Sequence, residues 1–246
     1  MIHIAHLYPR SMSTYGDSGN IRCLVKRCQW RGVEVVVHGL EIGDNIPAEV
    51  DLYFFGGGQD AAQARLAEDL REVKGPRLVQ DVKEGVPLLS ICGGYQLLGE
   101  GYLPFEGEML CGLELFPAVT RASRHRMIGN LIVRTNPELP FAAAAPYLVG
   151  FENHSGETEL KSGSDLGAVL VGFGNNYQDR QEGCVVNNAI GCYLHGPLLP
   201  KNPELADWLL LTALQRKEPG AVLKELDNAV EDAAREAVLQ RHKIIR

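Results

Sequence analysis

The sequence predicts an α/β fold in which a doubly wound, mostly parallel sheet carries an antiparallel extension. Three observations predict it. Strand-like and helix-like segments alternate over 2–100, two of the strands end in glycine-rich turns, and 104–200 holds strand-like pieces with little helix. Such alternation is typical of a parallel sheet with helices on both faces. A chain of 246 residues is long enough for one large domain of this kind.

The first half of the chain supplies the parallel sheet. A first strand is predicted at 2–7, and a helix follows for which Asp17 or Ser18 is the candidate N-cap. The next elements are predicted from a second strand in VEVVVHGL, a third in VDLYFFGGGQD, a helix in DAAQARLAEDLREV, helical turns at 76–84 and a strand in VPLLSIC. Ligands in such sheets bind at the carboxyl ends of the strands. FFGGGQD and SICGGYQ both lie at such ends, so we expect them to line one crevice.

The second half supplies the antiparallel extension and two closing helices. Strand-like pieces such as MIGNLIVRT and YLVGFENHSG alternate with glycine and asparagine and are read as an extension of the same sheet. We assign 1–216 to one domain and 217–246 to a C-terminal helix. An apolar stripe beginning at Val222 and including Val230 would either pack on the domain or dock a partner.

The composition is that of a soluble globular protein, with 45% hydrophobic and 22% charged residues. The formal charge is −7 and no basic cluster stands out, so neither nucleic acid nor an anionic membrane is expected as a direct partner. The N-terminus does not resemble a signal peptide, and no apolar run approaches the roughly 18 residues of a membrane span. We therefore predict a cytoplasmic protein without a direct membrane span.

Cys92 stands apart from the other cysteines. The six cysteines include no CxxC pair, so they predict neither a disulfide framework nor a zinc site. Five are expected to be buried small side chains. Cys92 instead follows an aliphatic strand and precedes Gly93 and Gly94, which permit a tight turn into a helix. A sulfur at this corner lies near backbone N–H groups and the positive end of a helix, as in a nucleophile elbow.

A thiolate nucleophile needs a base that takes a proton and later returns one to the leaving group. Among seven histidines, His195 ends the strand-like segment AIGCYLHGP, where the chain leaves the sheet. A cysteine at an elbow followed by a strand-end histidine on an α/β sheet is the arrangement of a thiol amidase. The pair Cys92 and His195 therefore forms the predicted catalytic centre.

The segments SICGGYQLLGE and CYLHGP resemble class I glutamine amidotransferases, in the branch that includes cobyric and cobyrinic acid synthases. Within that branch, YGDSGNIRCL, YFFGGGQD, RMIGN and GFENHSGET resemble the GatD-type glutaminase subunits of lipid II isoglutaminyl synthase. The resemblance runs from about residue 3 to about residue 215. It implies a glutaminase domain with a flavodoxin-like core, which hydrolyses glutamine and passes ammonia to a Mur-type ligase.

The resemblance also assigns roles to residues. It makes Cys92 the nucleophile, His195 the general base, and Arg126 an arginine that binds substrate glutamine. A guanidinium suits this last role because it can hold an α-carboxylate through two parallel hydrogen bonds.

Backbone N–H groups are the expected oxyanion donors. One would come from Gly57 or Gly58 in GGGQD, and the other from Gly93.

One position departs from the usual pattern. Most class I amidotransferases have an acid two residues after the histidine, but this chain has Pro197 there. An aspartate supplied by the ligase subunit, or Glu152 within the chain, would be the third group. The expectation is a Cys–His dyad in the isolated chain, with weak glutaminase activity that rises when the partner binds.

The sequence has no GxxxxGK[ST] motif, so no ATP site is expected here. No cofactor or metal is expected in this chain, and ATP and Mg²⁺ are expected on the partner. The resemblance implies a heterodimer with a MurT-type, Mur-ligase-like synthetase that amidates the D-glutamate of lipid II to D-isoglutamine. Two alternatives stay open: a glutaminase that serves a cobyric-acid-type or other ligase, and a non-catalytic binding protein on the same fold.

Overall fold

The computed structural model describes residues 1–245. The strands are β1 (Ile2–Leu7), β2 (Val35–Leu40), β3 (Leu52–Phe55), β4 (Leu88–Ile91), β5 (Gly101–Leu103), β6 (Leu110–Cys111), β7 (Ala118–Thr135), β8 (Tyr147–Leu160), β9 (Gly167–Val171), β10 (Gln181–Glu182), β11 (Cys184–Val186) and β12 (Ala189–Cys192). The α-helices are α1 (Ser18–Trp30), α2 (Asp60–Asp69), α3 (Gly75–Lys83), α4 (Gly93–Leu98), α5 (Pro203–Lys217) and α6 (Ala229–Arg241). A π-helical turn at Leu70–Lys74 joins α2 to α3.

The first sheet has the strand order β11-β12-β4-β3-β1-β2. Its strands β12, β4, β3, β1 and β2 are parallel, and only β11 runs antiparallel. Every residue of β3 and β4 is buried, as expected when helices cover both faces of a parallel sheet. This order is that of a flavodoxin-like core. The predicted α/β class with a mostly parallel sheet is confirmed.

The remaining strands form a second, six-stranded sheet. Its order is β10-β9-β7-β5-β6, with β8 also paired to β7. Antiparallel pairs predominate, and β5 with β7 is the parallel exception. β7 and β8, which were expected to extend the first sheet, therefore belong to this second sheet, and only β11 extends the first as an antiparallel strand. β12 takes the position beside β4, and β11 covers the outer edge of β12, so the longer strands pair with one another instead.

A bulge interrupts the long hairpin of β7 and β8. Ala122 pairs with Gly156 and Met127 pairs with His154, which leaves 123–126 on β7 opposite Ser155 alone. Bulges of this kind redirect a side chain out of the regular alternation of a strand. Arg126 is the last residue of this bulge.

The C-terminal helix is shorter than predicted. Residues 218–228 are not helical, and α6 begins at Ala229, since Pro219 and Gly220 oppose helix formation. Val222 is 86% exposed and Val230 is 81% exposed, so these two residues of the predicted stripe do not pack on the domain, and docking of a partner stays a prediction. Instead, Leu239 packs with residues of β7 and β8 in a small second core. Among the described residues, no helix has both the length and the apolar character needed to cross a membrane.

Candidate active site

Cys92 lies at the turn between β4 and α4, where the sequence predicts an elbow. Its backbone has φ 51° and ψ −109°, a conformation that costs energy for a residue with a side chain. The surroundings hold it there: its N–H donates to the Cys192 carbonyl at 2.8 Å, and its own carbonyl accepts the Gln96 N–H at 2.9 Å. The side chain is 7% exposed and reaches the cavity described below.

The two glycines after Cys92 are required by close approach to the loop that follows β3. A Cβ on Gly94 would lie 2.6 Å from the Phe55 carbonyl oxygen, and a Cβ on Gly93 would lie 2.9 Å from the Gly58 carbonyl oxygen. Both separations are too short for carbon and oxygen, so any larger residue would push the loop and the elbow apart. The glycine-rich turns therefore meet at one crevice, as predicted.

His195 is fully buried beside this elbow. Its backbone makes a two-way bridge to Phe151 of β8, with N···O distances of 3.0 and 2.8 Å, so the histidine ties the two sheets together. The Tyr15 ring lies edge-on to the imidazole, with centroids 5.1 Å apart. His195 Nε2 makes no aligned hydrogen bond to any described residue, which leaves it free for a proton of the thiol or the substrate.

Asp17 supplies the carboxylate beside His195. Its Oδ1 lies 3.0 Å from His195 Nδ1, and both side chains are completely buried. The expectation of a bare Cys–His dyad is therefore wrong for the isolated chain. Asp17 was predicted only as a possible N-cap of α1, but its side chain makes no capping hydrogen bond, because both oxygens point to other groups.

Glu152 does not contact His195. Its carboxylate oxygens accept the backbone N–H groups of Phe173 at 2.8 Å and Gly174 at 3.0 Å, and one oxygen lies 3.7 Å from His154 Nε2. These contacts tie the Glu152 side chain, on β8, to the loop after β9. The structure thus offers Asp17, and not Glu152, as the internal carboxylate.

The oxyanion loop is fixed by the same aspartate. The Gly57 N–H donates to Asp17 Oδ2 at 2.7 Å, so Gly57 cannot be the oxyanion donor. The Gly57 carbonyl accepts the Thr14 N–H at 3.1 Å, which sets the plane of the peptide that carries the Gly58 N–H. Gly58 and Gly93 remain the candidates, since neither N–H donates to another described group.

Charge around His195 favours its protonated form. Burial alone would lower the pKa of the imidazole, but negative charge on Cys92, together with hydrogen bonding and charge from Asp17, raises it to about 10. The imidazole therefore keeps its proton at neutral pH. By contrast, burial lowers the pKa of His154, so that histidine stays neutral.

The other cysteines lack such a partner. Burial raises the pKa of Cys23 to about 12, of Cys28 to about 11 and of Cys184 to about 12, and Cys192 is shifted in the same direction. These thiols are poor nucleophiles at neutral pH. The expectation of five buried cysteines fails at Cys111, which is exposed, and at Cys23, which is half-buried.

A cavity of about 420 Å³ brings Cys92 and Arg126 together. The β-bulge carries Arg126 to its rim, where Nη2 donates to the Tyr15 hydroxyl at 3.0 Å and Nη1 lies 3.4 Å from Ser155 Oγ. A guanidinium has five N–H donors, so enough remain free to hold a carboxylate by two bonds.

Several cavity residues were not singled out from the sequence. Gln63 and Gln96 line the cavity, and Gln63 Nε2 donates to Gln96 Oε1 at 2.9 Å. Tyr15 lines it as well. Gln96 had a signal in the sequence, because it lies one helical turn after Cys92, whereas Tyr15 and Gln63 had none beyond their proximity to the glycine and aspartate motifs.

Known proteins share both the sequence pattern and the fold. The family model of the CobB/CobQ-like glutamine amidotransferase domain matches residues 3–203. The chain is 38% identical to the GatD subunit of the glutamine-hydrolysing lipid II isoglutaminyl synthase of Staphylococcus aureus (strain N315), over 97% of this chain and 95% of that protein. It is 37% identical to the GatD subunit of Streptococcus pneumoniae, over 88% of this chain and 82% of the relative.

More distant proteins are also similar to this chain, in sequence or in fold. A cobyric acid synthase of Phocaeicola vulgatus is 32% identical over 71% of this chain, but the match spans only 36% of that longer protein. Among solved structures, a glutamine amidotransferase from Thermotoga maritima has a TM-score of 0.55 at 16% identity, covering 99% of this chain and 92% of that one. At that identity the structural match supports the fold alone. Taken together, these matches show that the chain belongs to the CobB/CobQ-like glutamine amidotransferases, with GatD subunits among its relatives.

Proposed function

We propose that this chain hydrolyses L-glutamine to glutamate and ammonia. The observation that carries the proposal is that Cys92 and Arg126 line one cavity, while His195 lies beside Cys92 and is hydrogen-bonded to Asp17. A nucleophile, a base oriented by a third group, and a cation for the substrate's carboxylate are the parts that amide hydrolysis requires.

The reaction proceeds through a thioester. The Cys92 thiolate attacks the carboxamide carbon of glutamine, and the N–H groups of Gly58 and Gly93 receive the oxyanion. His195 gives its proton to the departing nitrogen, so ammonia leaves and the thioester remains. His195 then takes a proton from water, which attacks the thioester and releases glutamate and the thiolate.

Asp17 orients the base during this cycle. Its hydrogen bond to Nδ1 holds the imidazole in the tautomer whose Nε2 faces the reaction, and its charge stabilises the imidazolium. The same carboxylate holds the Gly57 N–H, so orientation of the base and orientation of the oxyanion loop depend on one side chain.

We further propose that the ammonia serves a partner synthetase. The two GatD relatives carry the name of lipid II isoglutaminyl synthase subunits, which supports a cytoplasmic heterodimer with a MurT-type, Mur-ligase-like subunit. That subunit would hold ATP and Mg²⁺ and convert the D-glutamate of lipid II to D-isoglutamine. Cobyric acid synthases are a weaker model, since this chain matches only 36% of the length of the one from Phocaeicola vulgatus.

The test is glutamate release from L-glutamine by the purified chain. We expect turnover by the wild type and almost none by Cys92→Ser, which keeps the shape of the elbow but replaces sulfur with a far weaker nucleophile. A folded wild type that binds glutamine without hydrolysing it, alone or with the synthetase, would favour a non-catalytic binding protein. Copurification of a Mur-ligase-like protein, rather than another ligase, tests the choice of partner.

A further inference from the structure

We propose that Tyr15 is a positioning residue that couples the carboxylate-binding arginine to the catalytic imidazole. The inference rests on the proposed glutaminase function and adds a residue for which that mechanism has so far given no role. Three separate features of Tyr15 carry it: its hydroxyl, its ring and its backbone.

The hydroxyl of Tyr15 holds Arg126. Arg126 Nη2 donates to Tyr15 Oη at 3.0 Å, across 111 residues of sequence. Arg126 is otherwise exposed at the end of a β-bulge and has only the 3.4 Å contact to Ser155. A free arginine side chain samples many rotamers, and fixing it before the substrate arrives lowers the entropic cost of binding. The Tyr15 hydroxyl therefore preorganises the guanidinium.

The ring of Tyr15 covers His195. The two rings meet edge to face at 83°, with centroids 5.1 Å apart. His195 is completely buried, although Tyr15 itself is 48% exposed. Shielding the imidazole from water strengthens its interactions with Asp17 and Cys92.

The backbone of Tyr15 indicates that this placement is imposed. Tyr15 has φ 53° and ψ 27°, a left-handed conformation that is costly for a residue with a bulky side chain. The residues on either side are anchored: the Thr14 N–H donates to the Gly57 carbonyl and Asp17 binds both Gly57 and His195. The segment 14–17 thus contacts the base, the oxyanion loop and the arginine at once.

Two variants separate the roles of the hydroxyl and the ring. Tyr15→Phe keeps the ring, so we expect the KM for glutamine to rise about five- to tenfold, as for loss of one hydrogen bond to a charged group, with kcat unchanged within about twofold. Tyr15→Leu also removes the ring, and we expect the same rise in KM together with a fall in kcat of about tenfold. Tyr177→Phe, at another half-exposed tyrosine outside the cavity, is the matched control and should leave both constants unchanged.

A double-mutant cycle tests whether the hydroxyl acts through Arg126. If it does, adding Tyr15→Phe to Arg126→Ala raises KM no further. An unchanged KM in Tyr15→Phe, or full additivity with Arg126→Ala, would overturn the proposal even though the enzyme is active.

Labelling of Cys92 keeps the test independent of turnover. We expect Tyr15→Phe to react more slowly than the wild type with 6-diazo-5-oxo-L-norleucine, which carries an α-carboxylate, but equally fast with iodoacetamide, which carries none. If Tyr15→Phe reacts as fast as the wild type with both reagents, the role of Tyr15 is refuted and the glutaminase function is not. A wild type that neither hydrolyses glutamine nor reacts with the analogue would refute the glutaminase function, and the inference about Tyr15 with it.

Discussion

At the scale of single residues, Asp17 joins two parts of the active site through one carboxylate. Oδ1 meets His195 Nδ1 at 3.0 Å and Oδ2 accepts the Gly57 N–H at 2.7 Å. A buried carboxylate is costly unless its oxygens are hydrogen-bonded, and these two contacts offset that cost. Any change at Asp17 is therefore expected to disturb the base and the oxyanion loop together.

Glu182 gives a residue-scale prediction about stability. Burial raises the pKa of its carboxyl to about 8, whereas the unfolded value is 4.5. Between those two values the unfolded chain has released this proton and the folded chain still holds it, so the free energy of unfolding falls as pH rises from 4.5 to about 8. Glu182→Gln keeps the acceptor for the Tyr193 N–H and removes the ionisation.

We therefore expect the free energy of unfolding of Glu182→Gln to exceed that of the wild type above pH 8, by up to about 5 kcal/mol, and to match it near pH 4. Urea denaturation at the two pH values measures this difference. Glu218→Gln, at an exposed position, should show no such pH dependence. A variant that is less stable than the wild type at both pH values would contradict the account.

Prediction from the sequence succeeded where a local pattern determines the position of a residue in the fold. Cys92 was predictable because a strand, a cysteine and two glycines in succession define an elbow. Asp17 could not be assigned, because its role depends on a partner 178 residues away in the chain, and locally it looks like an N-cap. Gly57 and Gly58 could not be told apart because the direction of a backbone N–H is set by contacts with 14–17.

At the scale of elements, the elbow depends on how closely β4 and α4 approach the loop after β3. Gly94→Ala would place a Cβ 2.6 Å from the Phe55 carbonyl and 2.9 Å from the Gly56 carbonyl. We expect this to lower the free energy of unfolding by about 2 kcal/mol and to reduce kcat, because the elbow must shift away from the oxyanion loop.

Thermal denaturation and glutamine hydrolysis measure the two effects. Gly39→Ala in β2 is the matched control, since its Cβ would contact only a ring atom of Pro9 at 3.2 Å. Wild-type stability and activity in Gly94→Ala would show that the close approach does not constrain the site.

The β-bulge gives the second prediction at this scale. Arg126→Ala removes the cation that the bulge carries to the cavity, and we expect KM for glutamine to rise roughly thirty- to hundredfold with little change in kcat. Steady-state kinetics measure both constants. Arg124→Ala, in the same exposed bulge, is the control and should leave KM unchanged. If the two variants raise KM equally, Arg126 contributes only general positive surface charge and does not bind the carboxylate specifically.

At the scale of the whole molecule, the site lies where the two sheets meet. Cys92 follows β4 and Asp17 lies between β1 and α1, so both belong to the first sheet and its helices, whereas Arg126 belongs to β7 of the second sheet. The Phe151–His195 bridge joins the two sheets. That these strands run parallel was predictable from the alternation of strands and helices. The division into two sheets was not, because strand sequences indicate which strands exist but not which edges remain available for pairing.

The position of Asp17 also changes what is expected of the isolated chain. The sequence predicted weak activity without a partner, on the ground that no acid follows His195. With Asp17 already in hydrogen-bond contact, the base is oriented without a carboxylate from a second subunit. A partner would then raise the overall yield by using the ammonia, rather than by completing the catalytic residues.

The most direct test of this account is the rate of glutamine hydrolysis by the isolated chain, measured for the wild type and for Asp17→Asn at saturating glutamine. We expect the wild type to turn over without a synthetase, and Asp17→Asn to lose roughly 10²- to 10⁴-fold in kcat, because the asparagine favours the wrong imidazole tautomer. Glu152→Gln should lose far less activity, since Glu152 bonds to Phe173 and Gly174 instead. A wild type that is inactive until a synthetase is added, together with an Asp17→Asn variant as active as the wild type in that complex, would contradict the account.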